Sequence, residues 1–187
     1  MEQQEMRKTQ WKSARSMAYI GLCAALMAVC AWICIPATVP FTMQTFAVLL
    51  GCGLLGGKRG AAAVLVYLLL GAAGLPVFSG FRGGLGVLLG TTGGYLIGFL
   101  ATALVMWALE RAARRNALLL ALSMGLGLLV CYAFGTAWFL VVYARNSGAI
   151  GLSAALSMCV VPYLLPDAAK LLLAVFLTGR LRRALRL

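Results

Sequence analysis

The chain has 187 residues, of which 63% are hydrophobic and 11% charged, and its net charge is +12 with no histidine. A soluble domain is roughly 45–50% apolar and about 25% charged, so lipid must cover part of this apolar surface and an ordinary soluble fold is excluded. A nucleic-acid binder is excluded too, because the basic residues fall in short clusters between apolar runs, as they do in the loops of membrane proteins.

The length suits one domain. Inside lipid a helix satisfies its own backbone polar groups, so the fold class is all-α. A basic lead, residues 1–13, precedes the first apolar stretch, and no convincing small-residue cleavage site follows, so no signal peptide is expected. The first helix is predicted over 14–34 and stops before Pro36. The loop IPATVPF comes next, and its prolines favour extended backbone. The second helix is predicted over 42–57, a tight turn at Lys58 and Arg59, and the third helix over 60–74, ending at Pro76. Residues 75–92 are rich in glycine and read as a loop. The fourth helix covers 93–109, followed by a basic loop with Arg111, Arg114 and Arg115. The fifth covers 117–143, followed by the polar patch ARNSG. The last apolar stretch, 150–181, is interrupted by Pro162 and Pro166, and the sixth helix is expected from Pro166 onward, with a basic tail over 180–187. A span needs about 20 apolar residues. The second and third helices are shorter, which suits extension through neighbouring glycines or a place inside the bundle. The expectation is an integral membrane six-helix transmembrane bundle.

Charge sets its orientation. With the N-terminus inside, the inner segments hold Arg7, Lys8, Lys12, Arg15, Lys58, Arg59, the three loop arginines, Arg180, Arg182, Arg183 and Arg186; the outer segments hold only Arg82 and Arg145. That asymmetry predicts a multi-pass protein of the cell membrane with both termini cytoplasmic.

The residues that break the apolar pattern are the candidates for chemistry. Asp167 and Lys170 stand three apart and share a helix face. Ionisable groups inside a membrane segment are costly and usually mark a substrate or ion path; the competing reading is an ion pair that locks the last helix to the bundle. With the inner end of that helix near Arg180, a rise of about 1.5 Å per residue puts Asp167 roughly 20 Å above it, in the outer half of the bilayer. The loop after the third helix carries Phe78, Ser79, Gly80, Phe81 and Arg82 and reads as a lid over a pocket, with Tyr95 beyond it. Arg82 suits a carboxylate, through its bidentate fork, as well as it suits a lipid headgroup. Gln44, beside Thr42 and Thr45, suits a ligand hydrogen bond or a contact between helices. The small-residue pairs Ala14/Ala18, Gly21/Ala25 and Ala24/Ala28 allow a helix to pack closely, inside the bundle or from a separate partner.

Other chemistries fail on their residues. The run GCGLLGGKRG misses the phosphate-binding loop, because Gly57 occupies the lysine position and no hydroxyl residue follows Lys58. The six cysteines lie in apolar surroundings without metal-ligand spacing. Without histidine or paired carboxylates, enzyme activity, a metal and a cofactor are not expected.

Two segments resemble a known family. The run from Ile35 to Leu100, IPATVPFTMQTFAVLLGCGLLGGKRG through GTTGGYLIGFL, and the ending PYLLPDAAK are similar to the biotin transporter family BioY, the substrate-binding S components of energy-coupling factor (ECF) transporters. Two departures are visible, Thr91 where the family usually has proline and Pro166 where it usually has glycine. The resemblance implies a six-helix bundle with an outward-facing biotin pocket. It also implies partners: a transmembrane T subunit and two cytoplasmic ATPases, docking on small residues of the first helix, here Ala14, Ala18, Ala24 and Ala28. For ligand contacts it implies Asp167 accepting ureido N–H groups and Lys170 donating to the ureido oxygen. Phe78, Phe81 and Tyr95 would cover the rings, and Arg82 or glycine-loop amides such as those at Ser79 and Gly80 would meet the carboxylate tail. Competing expectations are an S component for another vitamin, an ion-coupled secondary transporter using Asp167 as proton carrier, and a membrane scaffold without a ligand.

Overall fold

Apolar runs form helix along most of their length, and glycine or proline decides where each helix ends. The computed structural model describes residues 14–114, 116–148 and 150–185. Its helices are α1 (Ala14–Trp32), α2 (Gln44–Leu55), α3 (Gly57–Ala72), α4 (Leu85–Leu89), α5 (Gly93–Ala108), α6 (Glu110–Ala113), α7 (Ala117–Ser147), α8 (Leu152–Cys159) and α9 (Val161–Leu185). The strands β1 (Cys34–Ile35) and β2 (Phe41–Thr42) pair antiparallel between α1 and α2. The long elements α1, α2, α3, α5, α7 and α9 make the expected six-helix bundle. The basic residues Arg7, Lys8, Lys12, Arg115 and Arg186 lie outside the described residues, as does the lead 1–13.

Three helices, α1, α7 and α9, are long and apolar enough to cross a membrane by themselves. By contrast α2 has 12 residues, a rise of only about 18 Å. Its composition explains how that is tolerated. It is apolar on every side, and nearly all of it is buried, against α1, α3, α5 and α9. A helix apolar all round belongs in a core, and one surrounded by protein need not match the lipid thickness.

Several boundaries differ from expectation. Lys58 and Arg59 do not form the turn between α2 and α3; they lie in the first turn of α3. Gly56 makes the turn alone, with φ +82, a conformation that glycine adopts without strain. The Glu110 carboxylate then accepts from the N–H of Gly57 at 3.1 Å and satisfies one of the unpaired donors at the start of α3. Glu110 in turn pairs with Arg114 at 2.7 Å. Arg182 of α9 closes the same end of the bundle, donating from Nε and Nη2 to the carbonyl of Gly53 at 3.0 and 2.5 Å.

The polar patch after Tyr143 is largely helical, and α7 ends only at Gly148, with φ +96. The last helix begins at Val161 rather than at Pro166. Pro162 falls in its first turn, where an N–H would lack a partner anyway. Pro166 stands inside the helix; it removes one hydrogen bond, to the carbonyl four residues back. The true break lies one residue earlier, at Val160, with φ −124 and ψ −56.

The glycine-rich loop is ordered by specific contacts. Phe78 N–H donates to the carbonyl of Arg82 at 2.9 Å, closing a turn through Gly80 (φ +68) and Phe81 (φ +57). Trp32 at the end of α1 donates from its indole to the carbonyl of Pro76 at 2.9 Å and stacks on Phe81 with ring centres 5.1 Å apart. The loop therefore covers one end of the bundle, opposite the end that holds Glu110, Arg114 and Arg182.

Candidate functional site

The cavity lies under that loop, between the β1–β2 connection, α2, α5, α7 and α9, and with its open mouth takes in about 630 Å³ of space. Its one charged pair comes from α9. Asp167 and Lys170 are 4% and 6% exposed, and Lys170 Nζ donates to Asp167 Oδ1 at 2.7 Å. The i, i+3 spacing puts both on the helix face that meets α2 and α7.

Neither partner depends on the other alone. Lys170 also donates to the carbonyl of Thr42 at 2.7 Å and lies 4.0 Å from the ring centre of Phe41. Tyr132 of α7 donates to Asp167 Oδ2 at 2.5 Å. Both carboxylate oxygens are thus engaged, yet each keeps a further lone pair. A buried pair held this way is tolerated because its hydrogen bonds offset the loss of water. Tyr132 carries no sequence signal: it is one aromatic in a long apolar helix, and its partner is 35 positions away.

The second polar wall is built at the start of α2. Thr42 and Gln44 are buried. The Thr42 hydroxyl donates to Gln44 Oε1 at 3.1 Å, and Gln44 Nε2 donates to the Tyr67 hydroxyl at 2.5 Å. The apolar walls are Tyr95, Leu96 and Phe99 of α5, with Tyr163 of α9 and Leu128 of α7. Tyr95 is fixed by close approach of α5 and α7. A Cβ on Gly135 would sit 2.2 Å from the Tyr95 ring, so glycine makes room for it. The Tyr95 hydroxyl is hydrogen-bonded to the Thr136 hydroxyl at 3.0 Å. Tyr163 donates to the carbonyl of Val39 and stacks on Phe41, which holds the β1–β2 connection over the cavity.

Of the candidate residues, Asp167, Lys170, Gln44, Tyr95 and Ser79 line this cavity. Phe78 does not. It is fully buried beneath the loop, edge-on to Tyr67 at 5.5 Å and filling the space over Gly71. Gly80 is exposed at the tip of the turn, and Phe81 is 63% exposed against Trp32. Arg82 borders an adjoining outer hollow of about 570 Å³, lined also by Thr38, Thr91 and Thr92, which meets the main cavity at Pro40 and Thr92. Its Nε donates to the carbonyl of Ser79 at 3.2 Å. The docking candidates divide as well. Ala14 and Ala18 face outward on α1, together with Gly21 and Ala25, whereas Ala24 and Ala28 are buried in the core.

The arrangement offers one carboxylate acceptor, one ammonium donor, an amide and an aromatic wall, buried around one cavity. That set suits a small polar ring carrying both donors and acceptors.

Known proteins share both sequence and fold. The "Biotin transporter BioY" of Thermotoga maritima is 41% identical over 170 residues, covering 90% of this chain and 96% of that protein. The "Probable biotin transporter BioY" of Pyrococcus horikoshii is 38% identical over 170 residues, covering 90% and 97%. The crystal structure of the S-component for biotin from an ECF-type ABC transporter superposes with a TM-score of 0.80 at 28% identity, over 90% of this chain and 91% of that one. The model of the BioY family matches residues 2–187, so every element described above falls within the match, and the chain belongs to the BioY family.

Proposed function

We propose that the protein is the biotin-binding membrane subunit of an ECF-type vitamin importer, a transport subunit rather than an enzyme. The observation that carries this reading is the buried Asp167–Lys170 pair facing a cavity with aromatic walls in a chain of this family. Biotin presents two ureido N–H donors, a ureido oxygen, a thioether ring and a carboxylate tail. The two N–H bonds of a cyclic urea diverge, so one carboxylate can face only one of them. Asp167 accepts that one, and Lys170 donates to the ureido oxygen. Tyr95, with Phe99 and Tyr163, covers the rings in place of Phe78 and Phe81. The tail runs toward Ser79 and the hollow bordered by Arg82. Gln44 supplies a further polar contact.

Translocation is powered in partners, a transmembrane T subunit and two cytoplasmic ATPases. They dock on the outward face of α1, where Ala14, Ala18, Gly21 and Ala25 form a shallow stripe that a partner helix can approach closely. The cavity faces outside and both termini lie inside, which agrees with the clustering of basic residues at the opposite end of the bundle. Titration of the purified protein with labelled biotin tests the reading, alongside a panel of other vitamins. Saturable binding of biotin alone is expected; no binding, or preference for another vitamin, overturns it.

A further inference from the structure

Tyr67 of α3 is fully buried and does not line the cavity, yet it joins the cavity to the loop above. Its hydroxyl lies 3.0 Å from the carbonyl of Val77 and 2.5 Å from Gln44 Nε2. A carbonyl oxygen only accepts. The Tyr67 proton is therefore committed to Val77, and the Tyr67 oxygen must accept from Gln44. At the other end the main-chain N–H of Gln44 donates to the Thr42 hydroxyl at 3.3 Å, and that hydroxyl donates to Gln44 Oε1 at 3.1 Å. A hydroxyl can meet either edge of an amide, so the orientation is set at the Tyr67 end.

The Val77 carbonyl, acting through Tyr67, thus favours one orientation of the Gln44 amide. A flipped amide would turn Oε1 toward a Tyr67 oxygen whose proton is already used, and that contact would be lost. In the orientation kept, one N–H of Nε2 goes to Tyr67 and the second remains for the cavity that Gln44 lines. The chain extends further, since Thr42 also receives Lys170 on its carbonyl at 2.7 Å. Phe78, edge-on to Tyr67, ties the ring to the same loop.

We propose that Tyr67 is a positioning residue for ligand binding. It holds Gln44 as a hydrogen-bond donor toward the cavity, and it does so only while Val77 keeps its place in the loop. The ligand atom opposite Gln44 is then an oxygen acceptor, a carbonyl or a carboxylate. When Val77 moves away, the Tyr67 proton is released and Gln44 can turn either edge inward. An acceptor bound at Gln44 and a seated loop therefore stabilise each other, a reciprocity that binding linkage requires. This role rests on the biotin reading above.

Association and dissociation of labelled biotin on the purified full-length protein test it. Tyr67→Phe keeps the ring and its contact with Phe78 and removes only the hydroxyl. Dissociation is expected to quicken about tenfold, the equivalent of one lost hydrogen bond, while association changes by less than about twofold. In the Gln44→Leu background the same substitution should leave dissociation unchanged, because nothing is left to position. A purely structural Tyr67 would quicken dissociation equally in both backgrounds, and that result, or no change in either, overturns the proposal. Should Tyr67→Phe fail to fold, Gln44→Glu carries the test. A carboxylate cannot donate, so dissociation must quicken to a similar extent, and an unchanged rate overturns the proposal. Wild-type protein that fails to bind biotin removes the biotin reading and this role with it; wild-type binding with unaltered variants removes this role alone.

Discussion

Asp167 shows most clearly what one residue does in this protein. Lys170 and Tyr132 each occupy one of its oxygens, so the pair is satisfied without a guest, and burial alone does not demand a ligand. What points to binding is that Asp167 and Lys170 both line the cavity. Asp167→Asn keeps the shape and removes the charge, and the Lys170 ammonium then lacks its counter-ion in a dry site. We expect equilibrium affinity for labelled biotin to fall by well over tenfold, since a hydrogen bond to a charged group contributes about 1.5–3 kcal/mol; unchanged affinity would remove Asp167 from the site. Lys170→Met leaves the carboxylate buried and unpaired, which costs about 3–5 kcal/mol. Its expected signature is a lowered melting temperature in the absence of ligand as well as lost binding. Sequence made Asp167, Lys170 and Gln44 legible because a polar side chain within an apolar run stands out. Tyr132, Tyr67 and Tyr163 were not legible. A tyrosine suits an apolar helix equally well with or without a partner, and their partners arrive from distant elements.

At the scale of elements, α1 presents two faces, one buried in the bundle and one exposed. Ala24 and Ala28 are 3% and 7% exposed and pack into the bundle, so a larger side chain there overfills a dense core at about 1–3 kcal/mol. On the outward face, a Cβ added at Gly21 meets nothing within 4 Å. Gly21→Leu should therefore leave the melting temperature and biotin affinity of the isolated protein unchanged, yet reduce co-purification with the proposed transmembrane T subunit. Ala28→Leu should lower the melting temperature first. Equal assembly of Gly21→Leu and wild type would argue that the partner docks elsewhere. The helical spacing of small residues was visible in the sequence, but which pair faced lipid was not. That depends on the rotation of α1 against α2 and α3, a property of packing. The start of α9 was misplaced for a related reason. Proline reads as a break, but Pro162 lies in the first turn, and Pro166 removes only one bond from a helix held by its neighbours.

For the whole molecule, the decisive property is which end faces which solution. The described basic residues Lys58, Arg59, Arg111, Arg114, Arg182 and Arg183 gather toward one end, and of the two described acids, Glu110 and Asp167, Glu110 stands at that end. Arg82 and Arg145 belong to the other. The excess of basic residues carries the proposal that the crowded end is cytoplasmic, in which case the cavity beneath the glycine loop opens outward. Two exposed positions report this without touching the cavity: Arg145 at the end of α7 and Arg111 in α6. The native cysteines are buried except Cys34, which is intermediate, so a Cys34→Ser background limits competing reaction. In intact cells, a membrane-impermeant maleimide should label Arg145→Cys at once and Arg111→Cys only after permeabilisation. The reverse pattern would put the cavity mouth in the cytosol, where a binding subunit could not capture an external vitamin, and the import reading would fail even if biotin bound tightly.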